Sequence, residues 1–357
     1  MDIQTILYII WLATSFGFCA FCIFQRNMMI YSELRRIRRR VKAVSKMIKE
    51  TRTMLTSLFD DKLTEEKRFE GYDKVMDYFV IAPIETDPSG VMNRLEYLLD
   101  TGDETLEKLV QPLSPDGDLE RMENLKQMFK EAIILNRIYK MLRELYISSK
   151  KSRSLETVMQ STMNLSTFIR DAKIRFKAVK AYVDPQPIGN GIAPLVASKL
   201  IEDSPFEVED GVVISERKYK DRDLVIIKPK GPGARMRKLG RVAETKIRKE
   251  KEIAGVAVVT AQVKLEGEKT AIIVPATGVS FISEPDKFRL EELASERKIP
   301  LISIIVKMSE EEYYTKMSDE IRDAAPKVIE KFEDEIEQWG KGKVIVIGSG
   351  NTMSIEP

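Results

Sequence analysis

The sequence predicts a three-part chain: one N-terminal transmembrane helix, an all-α region, and a C-terminal α/β domain with a mainly parallel mixed sheet. Three observations carry this. An uncharged apolar run, "ILYIIWLATSFGFCAFCIF", lies near the start. Apolar residues then recur at three- and four-residue spacing as far as about residue 183. Beyond "VDPQPIGNGIAPLVASKLI" short β-branched runs alternate with helix-like segments, the pattern of a layered α/β sheet.

The apolar run, residues 6–24, has the length needed to cross a bilayer. The preceding residues carry Asp2 rather than Lys or Arg, and no small-x-small site follows, which reads against a cleaved signal peptide. Arg26, Arg35, Arg36, Arg38, Arg39, Arg40 and Lys42 come directly after it. The positive-inside rule therefore predicts a single-pass protein of the cell membrane, with its N-terminus outside and its later domains cytoplasmic. Cys19 and Cys22, the only two cysteines, lie inside this run and read as small apolar residues of the span.

Residues 26–60 form a basic juxtamembrane helix with a heptad pattern. Leu34, Val41, Ile48 and Leu55 occupy a; Ile30, Ile37, Val44, Thr51 and Leu58 occupy d. The seam fits either a homo-oligomer or packing against the chain's own later helices. Arg38 and Arg40 flank it, and anionic lipid headgroups are the nearest countercharge. Nucleic acid is not the expected partner of this cluster, because the membrane is the closer anion.

Residues 61–183 read as a helical domain. Its long segments are "LERMENLKQMFKEAIILNRIYKMLRELYI" and "SLETVMQSTMNLSTFIRDAKIRFKAVKAYV", the second with Ser154 as N-cap, and its breaks are "APIETDPSG" and "QPLSPDGD". Methionines and aromatics at helical spacing here are core.

Residues 184–357 form the α/β domain. Strands are predicted at 212–215, 224–228, 255–265, 270–275, 301–306 and 344–347, with "KLEGEKT" as a hairpin turn. Helices are predicted at 192–201, 234–249, 289–297 and 310–339, the last kinked or divided at Pro326.

Four glycine loops are the candidate sites. "KPKGPGARMRKLGR" follows a strand and opens a helix. It is neither a P-loop, since Arg241 and Val242 follow Gly240, nor a dinucleotide fingerprint, since Met236 stands at the third glycine position. Gly231 and Gly233 still allow backbone N–H groups to approach an anion, and Lys228, Lys230, Arg235 and Lys238 would neutralise it. Gly189, Asn190 and Gly191 precede a short helix. The terminal loop places Gly348, Ser349, Gly350, Asn351 and Thr352 after a buried-type strand. The fourth, with Thr277, Gly278 and Ser280, is the weakest. Three of the four follow strands, and a parallel sheet would gather those at one edge.

The expected ligand is a nucleotide or another phosphorylated small molecule. No catalytic residue and no metal cluster stand out. The absence of histidine among 357 residues removes the usual general base and the commonest zinc ligand. The net charge is only +2, so basic character is local. The second reading is a membrane-tethered scaffold working through the heptad helix and the helical domain.

Together "PIGNGIAPLVA", "IKPKGPGARMRKLGR", "IPLISIIVKMSEEE" and "VIVIGSGNT" resemble an archaeal family of membrane-anchored proteins of unknown function. The resemblance spans nearly the whole chain. It implies an archaeal origin, a membrane location and no established activity; "SFISEP" departs from the family's glycine-richer loop.

Overall fold

The structure, a computed structural model, describes residues 2–78, 88–115, 117–202, 206–209, 211–220, 222–233, 239–280 and 283–356. It divides into two compact units, Met1–Thr51 with Ala132–Phe176 and Arg52–Glu131 with Lys177–Pro357.

The helical half consists of α1 (Ile3–Ser57), α2 (Glu65–Met76), α3 (Pro88–Val110), α4 (Leu119–Ser152), α5 (Leu155–Met163) and α6 (Leu165–Ala181). The apolar run and the heptads belong to one helix, α1, of 55 residues. None of the span window is buried. Further along, the d positions Ile37 and Val44 are buried against Leu135, Ile138 and Leu142 of α4 and Leu165, Ile169 and Ala172 of α6. The a positions Val41 and Ile48 pack on the same cluster half-buried. From Ile37 to Ile48 the heptad seam is therefore covered by the chain's own α4 and α6. Full burial of a side chain such as Ile37 contributes about 1.5–3 kcal/mol by removing it from water. The arginines Arg35, Arg36, Arg38, Arg39 and Arg40 stay on the exposed face.

The segment expected as one helix from Ser154 is two, divided at Asn164. Asparagine competes with the helix for backbone hydrogen bonds and favours such ends. Ser154 precedes α5 but its side chain caps nothing.

The α/β part comprises helices α7 (Ile192–Leu200), α8 (Leu239–Lys249), α9 (Glu284–Arg297), α10 (Glu310–Tyr314), α11 (Asp319–Arg322) and α12 (Ala325–Glu337). Its strands are β1 (Phe206–Glu209), β2 (Val212–Tyr219), β3 (Arg222–Pro229), β4 (Ile253–Val263), β5 (Ile273–Thr277), β6 (Leu301–Met308) and β7 (Lys343–Ser349). They make one mixed sheet in the order β1-β2-β3-β7-β4-β6-β5. The central strands β3, β7, β4 and β6 run parallel, and the outer pairings are antiparallel. Parallel strands covered on both faces read as continuous apolar runs, as "LVII" and "VIVI" do. Alternate residues divide between the faces. Leu224, Ile226, Val344 and Val346 pack with α7 and α12; Val225, Ile227, Ile345 and Ile347 pack with α8 and α9.

Two expectations are corrected. "KLEGEKT" does not close a hairpin, because β6 lies between β4 and β5 and β5 pairs with β6. Both edges of β4 are already taken by parallel partners, which leaves β5 only the outer edge of β6. The hairpin is instead β2–β3, turning at Lys220 with φ 54. The segment 310–339 is three helices rather than one kinked or two. Ser309 and Ser318 cap the two short ones, and Pro326 sits in the first turn of α12, where its missing N–H is harmless. Strand β1 was not expected, although "FEVE" alternates apolar and polar residues over its four positions.

Candidate functional site

Strands β3 and β7 are parallel neighbours, with Ile227 opposite Ile347, so their carboxyl ends lie side by side. After β3 the chain leads to α8 on one face; after β7 its tail turns to α7 on the other. Adjacent strands whose chains leave on opposite faces open a crevice, the usual place for a ligand in such sheets.

Three glycine turns meet there. The Asn351 N–H donates to Asn190 Oδ1 at 3.3 Å. The Thr352 hydroxyl donates to the Gly233 carbonyl at 2.8 Å, and the Ser354 N–H donates to the Pro232 carbonyl at 2.8 Å. Glycine is required where backbones touch: a Cβ on Gly350 would lie 2.1 Å from the Asn190 carbonyl oxygen, and one on Gly231 would lie 1.6 Å from that of Ile355. Gly189, Asn190, Gly191, Gly231, Gly233, Gly348, Ser349, Gly350, Asn351 and Thr352 are all buried. The fourth loop is elsewhere. Because β5 is antiparallel, Gly278 ends at the opposite edge, its N–H donating to the Leu301 carbonyl at 2.9 Å. The sequence grouped loops by their following a strand; the structure instead joins Gly189–Gly191, which follows none, to the two true carboxyl-end loops.

The polar side chains of the terminal loop hold the tail. Asn351 Oδ1 accepts from the Met353 N–H at 2.8 Å, and its Nδ2 donates to the Tyr182 hydroxyl at 3.4 Å. The tail continues through buried Met353 and Ile355 over Gly231. Tyr182 also borders a cleft of about 460 Å³ with Asp118, Arg121, Asn124 and Pro185.

Among the predicted cations, Lys228 is fully buried. Its ammonium donates to Ser198 Oγ and to the Glu356 carbonyl oxygen, both at 2.5 Å. Burial pushes its pKa down to about 8, partly opposed by the Glu356 carboxylate. Lys230 is half-buried, and its N–H donates to the Gly211 carbonyl at 2.8 Å. Arg235 and Lys238 lie outside the described residues. Sequence reasoning missed Ser198, Tyr182 and Glu356. Alternation along β3 was the one available signal, since it puts Lys228 on the inward face of Leu224 and Ile226.

Residues 9–184 match a family described as "Protein of unknown function (DUF1512) N-terminal domain", and residues 188–356 match "Domain of unknown function (DUF1512) C-terminal". The chain belongs to the DUF1512 family. No curated protein and no solved structure matches it. The two DUF1512 regions meet between residues 184 and 188, just before the first glycine turn.

Proposed function

We propose that this DUF1512 protein is a single-span membrane protein whose α/β domain binds a phosphate-bearing small molecule, such as a nucleotide or sugar phosphate, at the carboxyl edge of β3 and β7. The carrying observation is Lys228: a buried cation whose hydrogen-bond partners, among the described residues, are two neutral oxygens, at the point where three glycine turns converge. A buried ammonium without a bonded anion is costly, and an entering anion relieves that cost. Lys230 adds charge on the same loop, and Arg235 and Lys238 follow it closely in the sequence. Binding requires the tail at 352–356 to yield part of the crevice.

The membrane reading is supported by the exposure of Trp11 and Phe16, at 63% and 78%, within an uncharged window. Hydrocarbon is the solvent that suits such a surface. Arg35 to Arg40 would then meet anionic headgroups on the cytoplasmic side. The filling of the heptad seam by α4 and α6 favours this ligand reading over assembly through that helix.

The test is thermal unfolding of the full-length protein in detergent with ATP, AMP, glucose 6-phosphate or inorganic phosphate. A rise in Tm that saturates with one of them, and is lost in Lys228→Met, supports the reading. No stabilisation by any of these anions sinks it.

A further inference from the structure

We propose that Ser198 and Lys228 form a serine–lysine dyad that hydrolyses an acyl compound, an ester or amide, whose carbonyl takes the place now held by the Glu356 carbonyl. The inference rests on that reading only in taking the crevice as a ligand site: a phosphate there would hold Lys228 as an ammonium, whereas the acyl compound meets the neutral amine.

The geometry is specific. Ser198 lies on α7 and Lys228 on β3, 30 positions apart in sequence, yet the hydroxyl and the amine are in direct hydrogen-bond contact. A serine needs an adjacent base to become a nucleophile, and a lysine serves when burial disfavours its charge. This chain has no histidine, so an amine held in a dry site is its available nitrogen base. Ser198 is only half-buried, so a substrate can reach its oxygen from the tail side.

The tail occupies the acyl position. The Glu356 carbonyl oxygen lies 3.1 Å from Ser198 Oγ and 2.5 Å from Lys228 Nζ. A peptide carbonyl is thus already held between the nucleophile and the base. While it is there, Lys228 is kept as an ammonium by two acceptors, and Ser198 can donate its proton to the Pro194 carbonyl at 3.0 Å instead. A substrate acyl group seated in the tail's place keeps the amine buried while the Glu356 carboxylate is gone, and both conditions favour the neutral amine.

The step balances with water as co-reactant. Neutral Lys228 takes the Ser198 proton as Oγ bonds to the substrate carbonyl carbon. The carbon–heteroatom bond then breaks, and the leaving alcohol or amine takes that proton from Lys228. Water next attacks the acyl-Ser198 carbon, giving one proton to Lys228. Oγ leaves and recovers that proton, and a carboxylic acid is released. No electrons change hands.

The test uses full-length protein in detergent and a fluorophosphonate probe, with the modified peptide located by mass spectrometry. The expected result is label on Ser198, at a rate rising through pH 8, and faster after removal of residues 356–357. Ser198→Ala abolishes the label, and Lys228→Met slows it roughly 100-fold, the scale of a lost general base. Circular dichroism verifies that each variant is folded; if Lys228→Met does not fold, the pH profile of the wild type decides. Absence of label on Ser198 in both the wild type and the shortened chain at pH 9 overturns the dyad. So does an unchanged rate in folded Lys228→Met, or a pH-independent one in the wild type. Phosphate-induced stabilisation without labelling would leave the binding reading standing and remove this one.

Discussion

The backbone N–H of Asn351 donates to the side-chain oxygen of Asn190 across 161 positions of sequence, at 3.3 Å. That bond joins the terminal glycine turn to the Gly189–Gly191 turn that opens the α/β domain, and both residues are buried. Every candidate role for the crevice depends on this junction staying closed or opening.

Gly350→Ala tests how tightly the junction is packed. Its Cβ would lie 2.1 Å from the Asn190 carbonyl oxygen, so backbone must shift. The expected loss is about 1–3 kcal/mol, the usual range for overpacking. Gly340→Ala is the control, with nothing within 4 Å of its added Cβ. Thermal unfolding of the two side by side checks this: a lower Tm for the first and little change for the second.

Lys228 makes stability pH-dependent. Its pKa in the folded chain is about 8, against an ordinary 10.5. Between those values the unfolded chain holds a proton that the folded one does not, so this group's contribution to stability rises with pH from about 8 to 10.5. The rise amounts to roughly 3 kcal/mol at most. Tm measured from pH 7 to 10.5 should climb more in the wild type than in Lys228→Met. Parallel curves would refute the burial-driven shift.

Ile37→Ala opens a hole among α1, α4 and α6. The expected loss is about 2–5 kcal/mol. Because the seam is filled from within the chain, the particle mass by light scattering should be the same as for the wild type. A drop in mass would mean that the seam also joins copies of the chain.

Membrane attachment is tested by extraction. Full-length protein should remain in the membrane pellet after alkaline carbonate, and a chain lacking residues 2–25 should appear in the supernatant. Replacing Arg38, Arg39 and Arg40 with Gln should increase the fraction in the inverted orientation, read by protease protection, because the charge asymmetry across the span is smaller.

Much of the architecture was legible. Four strands of the α/β part, the pairs around "LVII" and "VIVI" among them, announced themselves as apolar runs because parallel strands are covered on both faces. The heptad on α1 was legible because a helix repeats its buried face every three or four residues. The break at Asn164 and the place of β5 were not. The first is a choice between two weak local preferences, and the second depends on which strand edge other segments leave open. The basic loop raised a question that its own residues could not answer. Gly231 is needed where it is because Ile355 passes over it, and nothing near Gly231 in sequence says so.

By itself, the sequence determined everything that repeats locally: the apolar stretch of α1, the heptad face, the buried runs of the central strands and the turn-forming glycines. The tertiary structure decided what meets what. It put Gly189–Gly191 rather than Gly278 beside the terminal loop, laid the tail over Lys228, and brought Ser198 to that lysine's amine. Periodicity arises from backbone geometry within a few residues. Pairing across a sheet is settled only when the remaining open edges and faces compete for partners from the whole chain.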